Sequence, residues 1–85
     1  MSLAIAQNKQ VSGTVVDETG EPVIGASVVV KGNASIGTIT NLDGQFTLDV
    51  PASSETLLVR YLGKQDQEVA VAPNVNVTLQ PSESA

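Results

Sequence analysis

The chain contains no cysteine, no histidine and no tryptophan, and it carries a single phenylalanine and a single tyrosine. Lacking cysteine, it has neither disulfide staples nor a thiolate nucleophile, which argues against the small disulfide-dense class of secreted domains and fits a bacterial cell-envelope or cytosolic protein. Lacking histidine, it has no side chain whose unperturbed pKa suits acid–base work near neutrality, and zinc in its common ligand sets is excluded. Basic residues are scarce: Lys9, Lys31, Arg60 and Lys64 stand against nine acidic residues, for a net charge of −5. Scattered singly, they form no footprint for phosphate, so nucleic acid and anionic lipid are poor partners. The acidity reads as a solubility feature. No apolar run is long enough to cross a bilayer as a helix.

What remains is enough for one small core. Eighty-five residues fit a single domain near the lower size limit for independent folding, and 41% of them are hydrophobic. With so few rings, that core must be built from Val, Leu, Ile and Ala, which suits packed strands. No window shows a sustained i, i+3, i+4, i+7 stripe, and Gly or Pro interrupts most of them. Period-two alternation instead predicts strands over residues 9–17, 26–31, 36–40, 45–50, 56–61, 65–71 and 75–79. Val11, Val15, Val28, Val30, Phe46, Leu48, Val50, Leu57, Val59 and Tyr61 then point inward. The expected fold is an all-β, seven-stranded antiparallel β-sandwich. Residues 9–80 form the domain; residues 81–85 form a tail with no reason to order. Residues 1–8 form a leader whose Ala4-Ile5-Ala6-Gln7 matches a signal-peptidase pattern.

The turns punctuate these strands at fixed places. Pro22 has a fixed φ and no N–H, so it belongs at a strand entrance or edge, and Gly20 and Gly25 are suited to positive φ. Asn41-Leu42-Asp43-Gly44 predicts a hairpin turn, Asp-Gly being a strong turn signal. Together, G-x-x-x-D-x-x-G-x-P-x-x-G-A-x-V-x-V from Gly13 to Val30, T-x-x-D-G-x-F-x-L from Thr40 to Leu48 and Y-L-G at Tyr61–Gly63 resemble the carboxypeptidase regulatory-like domain. The version most similar stands at the N-terminus of SusC-type TonB-dependent outer-membrane receptors of Bacteroidetes. The resemblance spans about Lys9 to Leu79 and implies a transthyretin-like sandwich.

By that resemblance the domain is a non-catalytic accessory unit on the periplasmic face of the outer membrane. It would be a spacer or interaction module ahead of the TonB box of a nutrient (glycan) transporter. The implied partners are the receptor's own plug and barrel, the TonB machinery and a SusD-type lipoprotein, with no nucleic acid and no membrane insertion; the fragment alone is expected to be a monomer. Two other settings carry related domains: a secreted metallocarboxypeptidase, and a surface adhesin or polysaccharide-binding repeat. Receptor versions usually place an aromatic after Y-x-G, where this chain has Lys64, so looser packing is expected there. The region around Gly25-Ala26 also resembles pilin-type repeats stapled by a Lys–Asn isopeptide bond, but the Lys position is Val15 here.

No residues assemble into a reactive site. Ser27, Ser53 and Ser54 lie in a strand or a plain polar loop, without a strained elbow. Asp17 and Glu18 adjoin a turn that leaves them hydrated. Aligning Gly44 with the obligatory glycine of a calcium loop puts Ile39 and Val50 at ligand positions, where neither can bind a hard cation. No catalytic residue, metal or cofactor is therefore expected. Sugar binding needs exposed rings, and both Phe46 and Tyr61 are expected in the core. What is left is surface: Val16, Val29, Ile39, Leu58 and Leu62 alternate away from the core, and Val29, Ile39, Leu58 and Leu62 are the candidate partner contacts.

Overall fold

The computed structural model describes residues 8–82. Its strands are β1 (Asn8–Asp17), β2 (Ser27–Val30), β3 (Asn33–Ile39), β4 (Gln45–Pro51), β5 (Thr56–Arg60), β6 (Gln67–Ala70) and β7 (Asn74–Leu79). They form a three-stranded sheet in the order β4-β1-β7 and a four-stranded sheet in the order β3-β2-β5-β6. The β-sandwich read from the alternation is the observed architecture. In β4, Phe46, Leu48 and Val50 are buried while Gln45, Thr47 and Asp49 are exposed, and β7 repeats the pattern with Val75, Val77 and Leu79. Valine dominates the buried set, with Phe46 its only ring.

Four details depart from the sequence reading. The pair β1–β7 is parallel, with Ser12 opposite Asn74 and Asp17 opposite Leu79. β6 is an edge of the four-stranded sheet, and the chain crosses to the other layer before β7 begins. No tight turn within one sheet then forces the strands to oppose. For the same reason Asn41–Gly44 is no hairpin turn: β3 and β4 lie in different sheets, and the turn carries the chain between layers. Tyr61 is 40% exposed instead of buried, because β5 ends at Arg60 and the inward alternation stops one residue short of it.

The fourth departure is at the C-terminal end. Gln65 N–H donates to the Gln80 carbonyl (2.9 Å), Ser82 N–H donates to the Gly63 carbonyl (3.0 Å), and Lys64 bridges Pro81. Backbone pairing thus continues to Ser82, past the boundary set at Gln80. At the other terminus β1 begins at Asn8, one residue before the expected start. The cleavage pattern at Ala4–Gln7 and the last three residues of the expected tail lie outside the described residues.

Candidate functional site

The strand directions gather three loops at one end of the sandwich. These are Glu18–Ala26 between β1 and β2, Thr40–Gly44 between β3 and β4, and Tyr61–Asp66 between β5 and β6. The stretch Gln80–Ser82 joins them, since β7 runs parallel to β1. All three of the sequence motifs therefore meet here. The first two loops are held by side-chain-to-backbone bonds that their own sequence supplies.

Asp17 organises the first loop. Its Oδ1 accepts from the Thr19 amide (2.8 Å), the Thr19 hydroxyl (2.6 Å) and the Glu21 amide (3.1 Å), and Gly20 (φ 88°) completes the turn. Asn41 does the same for the second loop, its Oδ1 accepting from the Asp43 and Gln45 amides, both at 2.9 Å. Such local caps are what Asp and Asn side chains offer a turn. Gly44 takes φ 73°, and a Cβ on it would lie 2.6 Å from the Val15 carbonyl, so the turn can press against β1 only through glycine.

Thr40 ties the first two loops together and is the only buried polar residue among those described. Its Oγ1 accepts from the Ala26 amide (2.8 Å) and donates to the Val23 carbonyl (2.6 Å). Its own amide donates to the Ala26 carbonyl (3.0 Å), and its carbonyl accepts from the Gly25 amide (3.1 Å). Lys64 ties in the third loop. Its Nζ lies 2.8 Å from Glu18 Oε1, and the Lys64 side chain is only 18% exposed. Where a missing ring was expected to loosen the packing, the long lysine stem and its charge span the gap to the first loop.

These contacts set the titration behaviour. The Thr19 hydroxyl foremost, with the Thr19 and Glu21 amides, holds the Asp17 carboxyl below its ordinary value against a smaller opposing desolvation. The Lys64 hydrogen bond lowers Glu18, and Glu18 in turn raises Lys64. Asp17 and Glu18, depressed in the fold, stabilise it above the ordinary carboxylate pKa, and that contribution is lost as pH falls through their folded values. Lys64, raised in the fold, contributes below its ordinary pKa and loses that as pH climbs through the folded value. All three act together at neutral pH. Accordingly, the D17N variant is expected to flatten the stability-against-pH curve below about pH 4, as followed by urea denaturation across an acid series. An unchanged slope would show that the cap carries no proton-linked stability.

The four candidate contact residues divide between two places. Val29 and Leu58 are half-buried and stand opposite each other mid-sheet on the outer face of the four-stranded sheet. Ile39 closes β3 at the loop end and is 65% exposed; Leu62 stands in the third loop at 94%. Val16 is half-buried and bridged by Pro22. The sequence reading missed Ile24, Leu42 and Tyr61, all exposed at this same end. Leu42 had a usable signal, because a large aliphatic flanked by Asn41 and Asp43 in a tight turn has no core to enter.

The end offers binding chemistry and little reactive chemistry. A shallow concavity lies between Gly25, Ser27, Arg60, Tyr61 and Asp66, with Arg60 and Asp66 paired at 3.3 Å. No group of three metal-ligating side chains occurs among the described residues. No described helix is long and apolar enough to cross a membrane.

Comparison with known proteins places the motifs in context. Residues 11–85 match the CarboxypepD_reg-like domain family, whose members have the transthyretin-like sandwich. A TonB-dependent receptor SusC of Bacteroides thetaiotaomicron is 50% identical over 76 residues, covering 89% of this chain and 7% of the receptor. TonB-dependent receptor P3 of Formosa agariphila is 41% identical over 75 residues, 87% of this chain and 7% of the receptor. TonB-dependent receptor P39 of the same organism is 34% identical over 62 residues, 73% of this chain and 6% of the receptor. The chain spans less than a tenth of the length of these relatives.

Proposed function

Given that the chain belongs to the CarboxypepD_reg-like domain family, we propose that it serves as a non-catalytic accessory domain of a TonB-dependent nutrient receptor. It would sit on the periplasmic face of the outer membrane, ahead of the TonB box, plug and barrel. The observation that carries this reading is the match to a receptor by that name along 89% of this chain but only 7% of the receptor. That is the signature of a domain-sized module on a much larger machine. A folded body with paired ions and capped turns suits a spacer or docking unit. The relatives' names favour this setting over a carboxypeptidase or an adhesin. Any glycan carried by the receptor, and any SusD-type partner beside it, belong to the proposal.

The test is an in-frame deletion of the domain from the full-length receptor. Growth on the cognate nutrient is expected to slow while the receptor still inserts in the outer membrane at its normal level, measured by immunoblotting of that fraction. Normal growth with normal insertion would remove the transport role.

A further inference from the structure

Every large aliphatic or aromatic side chain exposed among the described residues sits at the loop end: Ile24 (51%), Ile39 (65%), Leu42 (77%), Tyr61 (40%) and Leu62 (94%). They come from three separate loops and a strand terminus, so no single local pattern explains their company. Single exposed apolar residues are ordinary, but their confinement to one end is the arrangement a contact surface would have. The bonds of Asp17, Thr40 and Asn41 fix the loops that present Ile24 and Leu42, and the Lys64–Glu18 pair with the backbone bonds to Gln80 and Ser82 holds the loop of Tyr61 and Leu62. Little ordering is then needed on binding.

Charge at this end identifies the kind of partner. Asp17, Glu18, Glu21, Asp43 and Asp66 lie in these loops or at their base, against Arg60 and Lys64. Both bases are already paired, Arg60 with Asp66 and Lys64 with Glu18. Asp17, Glu21 and Asp43 form no salt bridge among the described residues. The opposite end is nearly balanced, with Lys9 and Lys31 against Asp49, Glu55 and Glu68. A second copy would bring the same negative rim and be repelled, as would an anionic lipid surface.

We propose that the loop end, through Leu42, Leu62 and Ile24 and the carboxylates of Glu21 and Asp43, docks a basic, leucine-like apolar segment of another polypeptide. Apolar contacts supply the affinity, and the acidic rim supplies selectivity and a salt-sensitive approach. Such docking rests on the module role above only in taking the partner to be protein. It is tested on the 85-residue chain alone, so its failure is separate from any failure of the deletion experiment.

The probe is a synthetic peptide of alternating leucine and lysine, titrated into the isotope-labelled chain and followed by amide chemical shifts. Shifts are expected at Ile24, Leu42, Asp43 and Leu62, with none at Ser53 or Asn33. Added salt is expected to weaken binding. The pair L42N/L62N is expected to lose about ten-fold in affinity, with the dispersed spectrum retained because both side chains are largely exposed. The pair E21Q/D43N is expected to bind more weakly and with less salt dependence, and a leucine–glutamate peptide not to bind. Equal binding of the glutamate peptide, shifts centred on Val29 and Leu58, or no shifts would overturn the proposal. Loop-end shifts that grow with protein concentration in the absence of peptide would overturn it in favour of self-association.

Discussion

Replacing Thr40 with valine is expected to remove a large part of the stability of the fold. The two side chains are nearly isosteric, so no cavity opens. The hydroxyl alone is lost, and with it the bonds to the Ala26 amide and the Val23 carbonyl. Thr40 is 3% exposed, so water cannot replace them. A buried polar group left without a partner costs about 1–3 kcal/mol, so two orphans give about 2–6 kcal/mol. A chain of this length has a total stability of about 4–13 kcal/mol, so the loss is a large fraction of it and lowers the unfolding midpoint markedly. Thr40→Ser keeps both bonds and loses one methyl group, for about 1 kcal/mol. The pair is read by urea or thermal denaturation monitored by circular dichroism. If valine proves as well tolerated as serine, the clamp is not what joins the two loops.

The second large effect is expected at Gly13, for a steric reason alone. Gly13 stands mid-strand in β1, the central strand of its sheet, opposite Phe46 on one side and Val75 on the other. A Cβ there would meet Phe46 ring atoms at 2.5 and 2.7 Å and the Val75 carbonyl at 2.6 Å. The ring therefore lies where the side chain of an ordinary strand residue would be, covering a glycine that would otherwise weaken the strand. The ring could turn aside, but the carbonyl belongs to the paired backbone and cannot. Gly13→Ala is expected to destabilise by about 1–3 kcal/mol through overpacking, and Gly13→Val by more. Phe46→Leu removes the ring atoms in question, so the double variant is expected to cost less than the sum of the two single changes. Strict additivity in that cycle would show that ring and glycine are not coupled. Gly20→Ala is the control, because a Cβ there meets nothing within 4 Å and only the backbone preference is disturbed.

These two residues also show how far the sequence could be read. Gly13 was visible as the start of a motif, but its reason lies in Phe46, thirty-three positions later, and in β7. Thr40 looked like the last residue of a strand before a turn. Its role depends on the loop through Val23 and Ala26, which leads from β1 of the three-stranded sheet into β2. The Asp17 and Asn41 caps were more accessible, because their partners lie only two and four residues away. Of the suggested contacts, Ile39 and Leu62 fall at the loop end, while Val29 and Leu58 belong to the sheet's outer face. Strand alternation could rank residues within a strand, but it said nothing about Leu42 in its turn and misplaced Tyr61 by running one residue past the end of β5.

Composition and period-two patterning alone determined that this chain makes short strands, buries aliphatic side chains and holds no histidine or cysteine for chemistry. Those are local properties, fixed by which side of a pleat each side chain occupies. Tertiary structure decided which layer each strand joined, that β7 runs with β1, and that three distant loops share one end. Those outcomes depend on crossings between layers and on bonds between residues far apart in the chain. No local periodicity encodes them.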